Sequence, residues 1–205
     1  MTTQTLQASP PPPSLDQLRR RLAEVPGLVP AAFVPPASQG RTEEACVVPA
    51  ELVEPAPLTA RPVGAAETWP GPVAFLDGIQ RYQVVAYAGA APLLVADVSA
   101  AVRERNERTA RTVLAERRRL AIARPEVLAA AASVLAGIAT VALTTEEPVH
   151  PLRDLDLARA AVDAARGELE RRIGDAYRKR SEHWLVVDGS LAESTAWAAD
   201  PRMIG

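Results

Sequence analysis

Trp184 to Val187 are consecutive apolar residues with no alternation, closed abruptly by Asp188 and Gly189. A strand with one wet face alternates polar and apolar positions, so this run suits a strand covered on both faces and ended by its Asp-Gly. Upstream, Leu155, Ala158, Val162, Ala165, Leu169, Ile173 and Ala176 step by three and four, which predicts a helix from about Leu155 to Tyr177 leading into that strand. A helix feeding a doubly covered strand constrains the chain to an α/β architecture. Val73 to Gly78, VAFLDG, repeats the form, with Asp77 in the place of Asp188. One Asp-Gly alone reads as a turn. Two such strands side by side would bring two carboxylates to one sheet edge.

The chain has 205 residues and 48% hydrophobic content, enough for one ordinary domain with a core plus tails. A formal net charge of -2 supplies no overall attraction to nucleic acid, so any DNA contact must come from local basic surface. Cys46 is the only cysteine, which excludes an intrachain disulfide and a zinc site built on several thiolates, and fits a reducing, cytoplasmic setting. No run reaches the roughly 18 apolar residues needed to span a bilayer. Neither G-x-x-x-x-G-K-[ST], G-x-G-x-x-G nor G-x-S-x-G occurs, so nucleotide hydrolysis and serine-hydrolase chemistry have no support in the sequence.

Residues 1–70 carry most of the prolines and read as a Pro-rich N-terminal arm, because proline removes a donor and fixes φ. The exception is Ser14 to Glu24: Ser14 and Gln17 have capping-box spacing and Leu15, Leu18 and Leu22 share a helical face, predicting a short helix. Arg81 to Gly89 and Ala91 to Val98 are predicted strands that complete a meander with the Asp77 strand. Ser99 to Arg124 is charged and helix-prone, and its Arg103, Arg105, Arg108 and Arg111 are either a solvated helix face or phosphate contacts. Pro125 suits a helix start, Glu126 to Gly137 is alanine-rich, and Ile138 to Leu143 is open between helix and strand. Glu168 and Glu170 flank Leu169 on the long helix, so either could reach inward at its rim. His150, His183, Tyr82, Tyr87 and Trp184 read as structural, and Trp197 either covers the Asp188 edge or caps the core.

A strand with Asp77, two further strands, helices, a helix with Glu168 or Glu170 and a strand with Asp188 is the order of the ribonuclease H-like fold. A mixed sheet flanked by helices is therefore expected, with both aspartates and the helical glutamate forming a three-carboxylate cluster. Such hard oxygen donors suit Mn²⁺ or Mg²⁺. FLDG at Phe75 to Gly78 and VVDGSL at Val186 to Leu191 resemble the two aspartate motifs of the NurA family of nucleases, and the closing MIG resembles the start of that family's next strand. The resemblance covers about Val73 to Gly205, with Ile79 where the family usually has serine, and the family continues well past this point. It implies a Mn²⁺-dependent 5′ to 3′ exonuclease and single-strand endonuclease, dimeric, working with a HerA-type hexameric ATPase in DNA end resection. Asp77, Glu168 and Asp188 would be its metal ligands, Glu168 being selected over Glu170 by its distance from Asp188. Two-metal hydrolysis is the expected mechanism. A catalytically incomplete scaffold that binds a partner or DNA is the alternative.

Overall fold

The computed structural model describes residues 13–32, 64–65, 71–191 and 194–205. Cys46, Trp69 and most of the Pro-rich arm lie outside the described residues. Contacts divide the chain into two units, 1–32 with 71–205, and 33–70. The first unit is an α/β domain whose seven-stranded mixed sheet packs against helices.

Its centre is an antiparallel meander of β2 (Val73–Ala88), β3 (Ala91–Asn106) and β4 (Thr109–Ala123). Two-residue hairpins join them at Gly89, φ 58°, and at Glu107, φ 54°. Both first turn residues are left-handed, which glycine adopts freely and glutamate only at a cost. The sequence predicts two strands over Val73 to Gly89, whereas one strand runs through Asp77 and Gly78 without a break. Full-length pairing with β3, Val73↔Arg105 to Ala88↔Ala91, holds the Asp-Gly extended. Ser99 to Arg124 is likewise strand rather than helix. Here Ala96, Val98, Ala100 and Val102 are buried in alternation with more exposed Asp97, Ser99, Ala101 and Arg103, and ladder pairing on both sides of β3 overrides helix propensity.

α2 (Pro125–Ala130) begins on Pro125, and β5 (Ala139–Ala142) pairs parallel with β4, which resolves Ile138 to Leu143 as strand. α3 (Pro151–Arg178) crosses back and delivers β6 (Trp184–Val187) parallel to β2. The short α4 (Thr195–Ala198) leads to β7 (Met203–Ile204), parallel to β6. The path across the sheet is β5-β4-β3-β2-β6-β7, with β1 (Val29–Pro30) on β2.

Two hydrophobic clusters hold the sheet. Ala158, Val162, Leu169, Ile173 and Tyr177 of α3 pack on Ala74, Leu76, Val98, Ala100, Val102, Leu120 and Leu185, and this side is called the helix face. Among the described residues, the opposite, second face is covered toward one end. There α1 (Leu15–Leu22), its Ser14 and Gln17 forming a capping box, packs Leu18 and Leu22 against Val85, Leu93, Val95, Ala121 and Val127. At α3's start, Arg124 donates to fully buried Asp154 from Nε (2.7 Å) and Nη2 (2.9 Å) and also to the carbonyls of Glu147 and Pro148. That fork ties the end of β4 to the helix. The Asp154 carboxyl is held below its ordinary value by the Arg124 hydrogen bonds, against the opposing effect of burial.

Candidate functional site

Successive side chains of a strand point to opposite faces, and two observations assign the faces of β2. Ala74 and Leu76 are in the α3 cluster, and a Cβ at Gly78 would collide with the Glu170 carboxylate on α3. Even-numbered residues therefore face the helix and Phe75, Asp77, Ile79 and Arg81 face the second side. On β6, Leu185 and Val187 pack toward α3, which places Val186 on the second side with them, and exposed Asp188 follows directly after the strand. The parallel pairing runs Val73↔Trp184 to Leu76↔Val187. Asp77 and Asp188 are each the residue that follows the last pair, on neighbouring segments of the sheet. Asp77 thus lies within β2, opposite Ala101, and is next to β6's tip rather than at its own. Gly189, at φ 131°, turns the chain away directly after Asp188, a conformation few other residues adopt.

Both aspartates are exposed, and neither makes an ion pair or side-chain hydrogen bond among the described residues. The helical glutamates stand across the sheet from Asp77. Glu168 is exposed and pairs with Arg118 of β4 at 3.5 Å. Glu170 is mostly buried, lies over Gly78 beside Asp77 and accepts from Arg166 at 3.1 Å. Among the described residues no group of three or more His, Cys, Asp or Glu is close enough to hold a metal ion.

The arginines divide by the same alternation. Arg103 and Arg105 are exposed on the second face, Arg103 donating to the Ala110 carbonyl and Arg105 to that of Glu107, while Arg108 sits in the hairpin turn. Arg111 points to the helix face and pairs with Glu104 at 3.3 Å. Arg117 and Arg119, also on the second face, both reach Asp97, at 3.1 and 2.7 Å. Burial disfavours the Asp97 carboxylate, but the hydrogen bonds from Arg119 and Arg117 outweigh it and hold the carboxyl below its ordinary value.

Away from the aspartates, at the start of β6, His183 Nδ1 lies 3.4 Å from Tyr177 Oη and 3.5 Å from Glu104 Oε1. Tyr177 donates to Glu104 at 2.9 Å and accepts from Ser181 at 3.1 Å, beside a cleft of about 410 Å³. His150 accepts from the Arg153 N–H as the N-cap of α3. Trp197 is buried, its Nε1 donating to Asp175 at 2.8 Å, so it caps the core beside α3. Tyr82 is 39% exposed, with Arg159 5.9 Å above its ring, rather than core.

Phe75, Ile79 and Arg117 join Asp77 on the second face, a grouping that helical periodicity hides and a period of two exposes. A scan of family models and searches of curated proteins and solved structures find no match to this chain.

Proposed function

We propose that this chain is a metal-dependent nuclease that hydrolyses DNA phosphodiester bonds. The observation that carries the reading is the β2–β6 register, whose last pair, Leu76↔Val187, directly precedes exposed Asp77 and exposed Asp188. Supporting it, β4-β3-β2-β6-β7, antiparallel through the meander and parallel from β2 onward, has the order expected of a ribonuclease H-like sheet, and α3 enters β6 as that fold requires. The motifs that resemble the NurA family fall on these same two strands.

The donor chemistry fits a hydrated Mn²⁺ or Mg²⁺, since hard cations of this size are commonly held by one or two carboxylates together with water and substrate phosphate oxygens. Asp77 and Asp188 would hold it; when bound, it would acidify a water and polarise the phosphate. The chain's own contribution is to hold two carboxylates at a rigid sheet and to leave them open to solvent, Asp77 on the face that carries Arg103 and Arg105. A second ion would call on a third carboxylate, and neither helical glutamate supplies it from across the sheet, where Arg118 engages Glu168 and Arg166 engages Glu170. Polarity of digestion, dimerisation, the HerA-type ATPase and end resection rest on the family resemblance alone.

Adding Mn²⁺ should raise the Tm of the parent chain and not that of Asp77→Ala or Asp188→Ala, because a ligand bound only by the native state stabilises it. Cleavage of labelled DNA by the parent, lost in both variants, completes the test. The absence of any three-carboxylate group among the described residues favours a second reading, a non-catalytic DNA-binding or partner-binding scaffold. A parent chain with neither a Mn²⁺ shift nor cleavage would establish the scaffold instead.

A further inference from the structure

Glu104 of β3, Tyr177 near the end of α3 and His183 just before β6 converge on the helix face, at the end of β6 away from Asp188. Three of their atoms form a triangle. Tyr177 Oη stands 2.9 Å from Glu104 Oε1 and 3.4 Å from His183 Nδ1, and Nδ1 stands 3.5 Å from Oε1. Hydrogen bonding accounts for the first edge. The two edges that reach the imidazole lie beyond the roughly 2.7–3.2 Å of a well-formed hydrogen bond. They match a different relation: donors bound to one tetrahedral ion at about 2.1 Å stand about 3.4 Å apart. The point equidistant from all three atoms is about 1.9 Å from each, so an ion slightly out of their plane reaches all of them at ordinary zinc bond lengths.

Neighbouring groups hold the three donors in place. Tyr177 is 1% exposed within the α3 cluster, and its Oη also accepts from Ser181 at 3.1 Å. Arg111 takes the other Glu104 oxygen, Oε2, at 3.3 Å, leaving Oε1 to the triangle. The His183 N–H donates to Ser181 Oγ at 3.2 Å and its carbonyl accepts from Arg178 at 2.6 Å, so the backbone that carries the imidazole is fixed on both sides. Partners of this kind orient metal ligands. Burial disfavours the Glu104 carboxylate, but the hydrogen bonds from Tyr177 and Arg111 outweigh it and hold the carboxyl below its ordinary value. All three residues line the cleft of about 410 Å³ with Arg111, Arg180 and Glu182, so an ion among them keeps one side open for a water or an anion. An imidazole nitrogen beside two oxygens selects a borderline ion such as Zn²⁺ over the harder Mn²⁺ or Mg²⁺ that the aspartates suit.

We propose that Glu104, Tyr177 and His183 bind one Zn²⁺ with a coordination position open to the cleft. The set has one histidine and one carboxylate, and the tyrosine supplies the third donor. Uptake displaces the phenol proton of Tyr177 to solvent, and Oη bonds the ion in its place. Burial, with the Glu104 contact, pushes that phenol up against the Ser181 hydrogen bond. The charge of the ion acts the other way, as it does on any group it coordinates. The site stands apart from the nuclease reading: it shares no residue with the aspartate pair and lies across the sheet from Asp77.

The test is isothermal titration of Zn²⁺ into the metal-stripped full chain, with Co²⁺ as a second probe whose visible bands report a four-coordinate ion. His183→Ala, a change at a 41% exposed side chain, should weaken Zn²⁺ binding about a hundredfold, and Tyr177→Phe, which removes one oxygen, about tenfold. Where Tyr177→Phe lowers the Tm to the working temperature, Glu104→Gln replaces it with the same expectation. Asp77→Ala and Asp188→Ala should keep the parent's Zn²⁺ affinity. No Zn²⁺ binding by the parent, or unchanged affinity in His183→Ala or Tyr177→Phe, would overturn the site. So would a loss in Asp188→Ala equal to that in His183→Ala, which would place the ion at the aspartates. Zinc site and nuclease fail separately. Zn²⁺ bound through His183 with no Mn²⁺-dependent cleavage leaves the site without the nuclease, and cleavage without Zn²⁺ binding leaves the nuclease without the site.

Discussion

The two faces of the sheet use alternate residues of the same strands for opposite purposes. On the helix face nearly every charge is matched: Arg118 with Glu168, Arg172 with Glu116, Arg166 with Glu170, and Glu104 with both Tyr177 and Arg111. Between these pairs the apolar positions of α3 and the strands are buried. Among the described residues, the α1 cluster seals one end of the second face, and beyond it Phe75, Asp77 and Ile79 are exposed, as is Asp188 just past β6. The α3 cluster and the α1 cluster hold the sheet between them, so the second-face positions beyond α1 are free to carry groups that contribute little to stability. Substitutions on the helix face should therefore be read in melting temperature, and those on the second face in binding and turnover.

The largest expected departure is at the aspartates. Asp188→Ala should abolish Mn²⁺-dependent cleavage while unfolding within about 0.5 kcal/mol of the parent, as a solvent-exposed side chain does. A large loss of stability in that variant would break the division between faces. On the helix side, Asp154→Ala should cost on the order of 3 kcal/mol in urea unfolding, because it leaves Arg124 without its buried carboxylate. The same pair has a pH signature. Because the folded Asp154 carboxyl lies below its ordinary 3.8, the unfolded chain binds more protons there. Its contribution is complete above that value and drains away as pH falls through the folded one. Asp154→Asn should accordingly show a shallower loss of Tm below about pH 4.

Gly78→Ala should cost about 1–2 kcal/mol, since the added methyl meets the Glu170 side chain, which must swing away and give up its Arg166 contact. Glu170→Ala combined with it should restore part of that loss, which would identify the close approach as the cause. The smallest effect belongs to the hairpin, away from both clusters: Glu107→Gly should gain about 1 kcal/mol by relieving a left-handed glutamate. No change there would mean that the greater backbone freedom of glycine in the unfolded chain offsets the relieved strain.

What local pattern carries was legible in the residues. The three-and-four spacing from Leu155 to Ile173 marks α3, Ser14 with Gln17 marks the start of α1, and the unalternating Trp184 to Val187 marks β6. Each depends on periodicity or capping within a few residues, which the chain states directly. Two segments were not legible. Asp77-Gly78 carries the chemistry of a turn and Ser99 to Arg124 the composition of a helix, but both are held in strands by ladder partners up to some thirty residues away. Pairing of that range adds hydrogen bonds along a whole strand and outweighs local preference. The arginines illustrate the consequence: as a helix, Arg103, Arg105, Arg108 and Arg111 would scatter around an axis, whereas the pleat sends Arg103 and Arg105 to the open face and Arg111 to the closed one. By itself the sequence determined that two aspartates end or interrupt apolar runs in an α/β chain. Only the tertiary structure decided that Asp77 shares a face with Phe75 and Arg103, stands across the sheet from Glu168 and Glu170, and lies one residue past the last pair that joins its strand to the Asp188 strand, because register between strands, and not any property of one segment, sets which side chains meet.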